Sequence, residues 1–281
     1  MHLQSSVPVV CGREISGVIN FDAALSGMTS VVHLAARVHV MHETVVDPLA
    51  AFRAVNVENS LNLARQAAAA GVKRFVFVSS IKVNGEYTLA GRAFTELDAA
   101  NPQDHYGQSK HEAEQGLRQI AAQTRMDVVI IRSPLVYGPG AKGNFATLLQ
   151  AVQRGWPLPL GAVHNQRSLV ALDNLVDFIV LCLVHSEAAN QTFLVSDGQD
   201  LSISELVRGL ACALGVPSRL LPVPVWALQA GATLLGRKDL ERRLCCNLQV
   251  DIAKARNVLR WKPPFSVEEG LRLAVAADPK L

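Results

Sequence analysis

Residues 73–80, KRFVFVSS, decide how the rest of the chain is read. A β-branched and aromatic run, apolar through its middle, suits a parallel strand covered on both faces. Its closing pair, Ser79-Ser80, puts two hydroxyls at the strand's carboxyl end, where open α/β sheets bind their ligands. Outward from this strand (Lys73–Ser79), the segments Val7–Cys11, Ser30–Leu34 and Asp127–Arg132 are runs of the same kind. Between them, Asp47–Ala70 and Asp104–Arg125 carry apolar residues at helical spacing, and the first ends at Gly71, a suitable C-cap residue. Strand–helix alternation of this kind predicts a doubly wound, Rossmann-type parallel sheet, with the loops after Leu34, Ser79 and Arg132 facing one crevice.

After about residue 140 the pattern loosens. Helices are predicted at 143–154, 173–186, 202–214, 224–236 and 266–277, with short strands near 168–172, 191–196 and 219–223. Residues 1–140 therefore read as the sheet domain. Residues 141–281 read as a smaller α/β substrate lobe, some of whose segments return to the sheet.

The 281 residues are 49% hydrophobic and 18% charged with a net charge of +3, which excludes a disordered chain and a nucleic-acid binder with a dense basic block. The longest apolar stretches, Leu175–Val184 and Val223–Gly236, fall short of the roughly 20 residues a membrane span needs. The amino terminus, MHLQSSVPVV, lacks the pattern of a signal peptide. Five cysteines without CxxC spacing read as buried free thiols, so a cytoplasmic protein is expected. Cys245-Cys246 is expected in a helix, as packing. His33, His39 and His42 lack a carboxylate or cysteine at ligand spacing, and no metal site is expected.

The segment YGQSK (106–110) begins the second long helix, and its spacing puts Tyr106 and Lys110 on one face. An ammonium beside a phenol would lower the phenol's pKa from about 10, allowing it to exchange a proton with a substrate oxygen as hydride moves. The bare spacing recurs by chance in helices; Ser80 at the strand's end adds a third member, a hydroxyl. Ser80 could bind the same oxygen, or it could only cap a turn. Tyr137, in VYGPG, is expected to shape its loop rather than react.

With these residues in place, the chain resembles the extended branch of the short-chain dehydrogenase/reductase family, specifically its nucleotide-sugar epimerases, dehydratases and 4-ketoreductases. The resemblance spans VVHLAARV (31–38), NVENSLNLARQA (56–67), FVFVSS…VNGE (75–86), YGQSK (106–110), IIRSPLVYGPG (130–140), RSLVALDNLVDFIV (167–180) and WKPPFSVEEGL (261–271). It implies that Ser80, Tyr106 and Lys110 form the catalytic trio, with Lys110 also holding the nicotinamide ribose. It places His33, Leu34, Ala35 and Ala36 along the adenine side of NAD or NADP. Asn56, Ser79 and Pro134 fall near the cofactor, and Glu14 and Ile15 at its adenine edge. Leu135 would touch the sugar, while Asn144 and Arg167 match positions that hold the nucleotide diphosphate, a task suited to a guanidinium. The plainer alternatives are a helix N-cap for Asn144 and a surface ion pair for Arg167.

Two departures from the family pattern matter. In the resembling dehydratases an Asp-Glu pair follows the position of Ser80; here Ile81 and Lys82 stand there, so simple dehydration is not expected. The glycine-rich turn that should hold the cofactor's pyrophosphate is also missing near the start, where CGREISG has the wrong spacing. The resemblance implies that the first β-α-β unit, on the order of 40 residues, is absent, together with the residue that selects NAD or NADP. A late start codon, a shortened chain and a natural remnant without cofactor all fit.

The expected function is a nucleotide-sugar oxidoreductase acting at C4 of a UDP-hexose, foremost a UDP-glucose 4-epimerase-like, NAD-dependent epimerase. An NAD(P)H-dependent 4-ketoreductase of a UDP-4-keto-6-deoxy amino sugar uses the same trio. A non-catalytic nucleotide-sugar-binding remnant is the third reading, and a steroid or flavonoid ketoreductase, which would bind no UDP, a fourth. Helices 48–70 and 104–125 resemble the pair that forms a four-helix homodimer interface in relatives.

Overall fold

Side-chain alternation along residues 74–80 and 127–133 sorts the sheet into two faces. A computed structural model describes residues 19–38, 47–234 and 244–276. The expected strand Val7–Cys11, Glu14, Ile15, His39 and His42 lie outside these residues. β2 (Arg74–Ser80) lies between β1 (Ser30–His33) and β3 (Asp127–Ser133), and β6 (Thr192–Leu194) pairs with the far side of β3, all in parallel. β4 (Leu135–Tyr137) and β5 (Leu169–Ala171) form a separate two-stranded parallel sheet. β1 stops one residue before the expected Leu34, and β2 runs one further, through Ser80, which pairs with Ser133.

Phe75, Phe77, Val128 and Ile130 pack with Ala64 and Ala67 of α3 (Asn59–Ala69) and with Ala113 and Leu117 of α4 (His105–Gln123). On the opposite face Val76, Val129 and Ile131 meet Leu175, Phe178 and Cys182 of α6 (Leu172–Val184). Each fully buried side chain of this size stabilises the fold by about 1.5–3 kcal/mol. Gly116 lets α3 and α4 approach closely, since a Cβ there would come within 2.5 Å of the Leu61 side chain.

The helix expected over 47–70 is three joined segments. α1 (Asp22–Leu25) precedes it. α2 (Pro48–Arg53) starts at Asp47, whose carboxylate accepts from Ala50 N at 3.0 Å; a π-helical turn, Ala54–Glu58, then leads into α3. Such a widened turn often marks a functional position. Here it carries Asn56, whose side chain is fully buried.

In the second half, α5 (Asn144–Gln153), α6, α7 (Ile203–Leu214), α8 (Val225–Leu234) and a helix over Val267–Ala276 fall within two residues of expectation where both ends are described. A short helix, Ala253–Val258, has no counterpart in the sequence reading. The strand expected at 219–223 is only a bridge from Leu220 to Leu158, because Pro217, Pro222 and Pro224 deny it ladder donors. Among the described cysteines, Cys182 alone fits the expectation of buried thiols. Cys212 is exposed, Cys245 and Cys246 are half-buried, and Cys246 already lies past the helix end. Among the described residues no helix is long and apolar enough to cross a membrane, and no cluster of three or more His, Cys, Asp or Glu could hold a metal.

Candidate active site

The carboxyl end of β2 meets the first turn of α4. Asp104 caps this helix, its carboxylate accepting from Gly107 N at 2.7 Å, and so presents Tyr106 toward the strand end. The Ser80 hydroxyl accepts from Lys82 N at 3.3 Å, capping the 3-10 turn Ile81–Val83, and its interaction with the Tyr106 phenol favours the ionised phenol. The turn-capping reading of Ser80 is thus the one the geometry shows. Gly107 is required by the approach of this turn, because a Cβ there would lie 2.7 Å from the Lys82 carbonyl oxygen.

Lys110 is 1% exposed. Its ammonium donates to the Val78 carbonyl at 2.8 Å and lies 4.2 Å from the centre of the Phe77 ring. Burial pulls its pKa down to about 8 against the opposing charge of Glu114. The phenol behaves otherwise than its spacing from Lys110 suggested: burial first, then the charge of Asp104, push Tyr106 up to about 12, and the Ser80 hydrogen bond is what lowers it. The expected lowering by Lys110 is corrected on that ground, since the ammonium is turned to the Val78 carbonyl and the Phe77 face.

The remaining candidates take up distinct places. His33 ends β1, shares a hydrogen bond of 2.8 Å between Nε2 and Ser60 Oγ, and stacks on Phe77. Burial and the Lys110 charge pull its pKa down to about 4, so it is neutral at physiological pH. Leu34 and Ala35 are exposed beyond it and Ala36 is half-buried, a low apolar shelf at the strand's end. Asn56 accepts from Arg37 N at 2.8 Å and donates to Arg37 O at 3.0 Å and to Ser109 Oγ at 2.9 Å. It thereby ties the loop after β1 to α4. Pro134 is buried after β3, and Leu135 is partly exposed beside it.

Ser79 faces the helix layer, donating to Glu114 Oε1 at 2.6 Å. Asn144 is exposed in the first turn of α5; the N-cap itself is Gly143, so the capping alternative does not apply. Arg167 lies half-buried at a crossing with Leu201 and Leu248 and donates to the Cys246 carbonyl at 3.0 Å. Tyr137 is fully buried, its hydroxyl donating to Asp197 at 2.7 Å, in keeping with a structural role.

Beneath the trio lies a buried pair that sequence reasoning missed. Arg132, near the end of β3, grips Glu114 of α4 with two donors at 2.9 and 2.6 Å, and also donates to Asn84 Oδ1 at 2.9 Å. Glu114 is fully buried, and its hydrogen bonds and the Arg132 charge outweigh burial and hold its carboxyl below the usual range. The signal was available: an arginine inside the apolar run DVVIIRS, and a glutamate four residues after Lys110, on the same helix face.

This parallel sheet, with hydroxyls and a buried ammonium gathered at the carboxyl end of a central strand, is a Rossmann-type architecture. The chain belongs to the NAD dependent epimerase/dehydratase family, whose model matches residues 13–196. A UDP-glucose 4-epimerase of Vibrio cholerae is 49% identical over 265 residues, covering 94% of this chain and 81% of its own. An N-acetyl-alpha-D-glucosaminyl-diphospho-ditrans,octacis-undecaprenol 4-epimerase of Escherichia coli O157:H7 is 29% identical over 264 residues, 89% of this chain and 77% of its own. Among solved structures, a Thermotoga maritima UDP-glucose 4-epimerase with UDP-glucose superposes with a TM-score of 0.70 at 25% identity, covering 89% of this chain and 76% of that one.

Proposed function

We propose that the chain is a nucleotide-sugar oxidoreductase of the UDP-glucose 4-epimerase type, acting at C4 of a UDP-hexose with NAD or NADP. The observation that carries this reading is the meeting of Ser80, at the end of β2, with the first turn of α4 that bears Tyr106, above the buried Lys110 ammonium. Residues 1–140 would hold the cofactor and 141–281 the nucleotide-sugar.

The described residues fit the nicotinamide end of such a cofactor. The Lys110 ammonium has three donors and gives one to Val78, so it has capacity for ribose hydroxyls. The shelf Leu34–Ala36 and the buried Pro134 suit the faces of flat rings. When bound, the oxidised cofactor accepts the hydride and brings a positive charge that favours a phenolate. Tyr106 then takes the proton of the 4-hydroxyl, which Ser80 orients, and returns it once the 4-keto sugar has turned its other face. Leu135 would line the sugar, and Asn144 and Arg167 would hold the diphosphate. Lys82 and the buried Ile81 supply no carboxylate for dehydration.

The test is conversion of UDP-galactose to UDP-glucose with added NAD. Interconversion without net reduction of cofactor is expected, and Tyr106→Phe should lower kcat by about 10²–10⁴-fold with an unchanged melting temperature. Full activity in that variant would defeat the reading. UDP binding without NAD binding would establish the non-catalytic remnant instead, and net NADPH consumption with a UDP-4-keto sugar the reductase. The homodimer through helices 48–70 and 104–125 belongs to the same proposal; a monomer in analytical ultracentrifugation at micromolar concentration would remove it.

A further inference from the structure

Lys82 stands where the family's dehydratases carry an acid, and nothing in the proposed chemistry uses it. It leaves the strand end directly after Ser80 and Ile81, and its backbone and side chain both reach the start of α4. The backbone N–H donates to Ser80 Oγ at 3.3 Å, and the carbonyl oxygen closes on Gly107. Its ammonium donates to Asp104 and, at 3.1 Å, to Glu86 Oε1. Asp104 is both the cap that starts the catalytic helix and the carboxylate whose charge acts on the Tyr106 phenol.

We propose that Lys82 is a positioning residue that sets the proton affinity of Tyr106 by pairing with Asp104. The inference rests on the reading of Tyr106 as the proton-transfer group. A carboxylate near a phenol opposes formation of phenolate, and a cation held on that carboxylate cancels much of its field. The other groups around the phenol leave this pair as the lever. From β2 there is the neutral Ser80; from α4 there are the exposed His105 and Lys110, whose ammonium is turned to Val78. From the turn there are Lys82 and Glu86, the latter sharing the same ammonium. From α2, Phe52 presents its ring edge-on at 6.4 Å, with the Arg37 guanidinium 5.5 Å from the centre of that ring. A lysine in place of the dehydratase acid thus adjusts the tyrosine without joining the reaction itself.

The experiment reads the phenol directly. The full chain is labelled with 3-fluorotyrosine, whose fluorine brings phenol ionisation into an accessible range, and titrated by fluorine NMR. The chain has three tyrosines, and Tyr106→Phe assigns the resonance. Lys82→Met should raise the Tyr106 midpoint by about 1 unit, Asp104→Asn should lower it while keeping the cap, and Lys82→Arg should restore it. In the double variant Lys82→Met/Asp104→Asn the rise should vanish. Equal midpoints for Lys82→Met and the unaltered chain, or no restoration by arginine, would overturn the proposal. An active Tyr106→Phe enzyme would remove the catalytic reading of Tyr106 while leaving these midpoints measurable, so the two failures are distinguishable.

Discussion

Near the ends of β2 and β4 stand two tyrosines, each close to a carboxylate, in differently built surroundings. Tyr137 donates its proton straight to Asp197, which also accepts from Ala171 N at 2.8 Å and from Asn174 at 2.7 Å. Asn174 in turn bonds the backbone of Phe265 in both directions, so every member is held from two sides. Gly270 packs so closely against this phenol that a Cβ would lie 2.6 Å from its oxygen. Burial, then Asp197, push the Tyr137 pKa far up, which fixes the proton in place. Tyr106 is half-buried, Ser80 acts to lower its pKa, and the carboxylate that raises it, Asp104, is paired with Lys82. A tyrosine whose partner is a saturated carboxylate is a rivet, whereas Tyr106, on the proposed function, keeps its hydroxyl for exchange.

The contrast is sharpened most by the buried pair under Tyr106. Glu114→Leu leaves the Arg132 guanidinium buried without its partner and should lower unfolding free energy by about 3–5 kcal/mol in urea titration. The double variant Glu114→Leu/Arg132→Leu should recover most of that loss. If it is no more stable than the single variant, the charges are not the reason. A smaller effect is expected at the other tyrosine. Tyr137→Phe removes one of the donors to Asp197 and should cost about 1–3 kcal/mol, read as a lower melting temperature, with kcat preserved. A hundredfold fall in kcat at unchanged stability would break the distinction between the two tyrosines.

Much of this arrangement was legible in the sequence. The β2 and β3 runs are continuous and β-branched, and a strand buried on both faces leaves that trace directly. Ser80, Tyr106 and Lys110 could be placed because a strand end and a four-residue helical spacing fix where side chains go. What stayed hidden depends on contacts far apart in the chain. The π-helical turn at Ala54–Glu58 has no local sequence mark; Asn56 within it bonds both Arg37 and Ser109. The direction of the Lys110 ammonium is set by the Val78 carbonyl, 32 residues away. The strand expected at 219–223 does not form because proline there lacks the donor that a ladder needs, and its apolar pattern does not carry that fact.

Ser79 and Ser80 are adjacent, yet one hydroxyl is tied to Glu114 under the sheet and the other meets Tyr106 above the strand end. Sliding β2 by one residue against its neighbours would exchange the two, and would also turn Phe75 and Phe77 away from the layer they fill. The alignment of the Ser80 hydroxyl is therefore proofread by the whole hydrophobic interior. A misregistered copy of this chain would be rejected as a fold before it could persist as a defective catalyst.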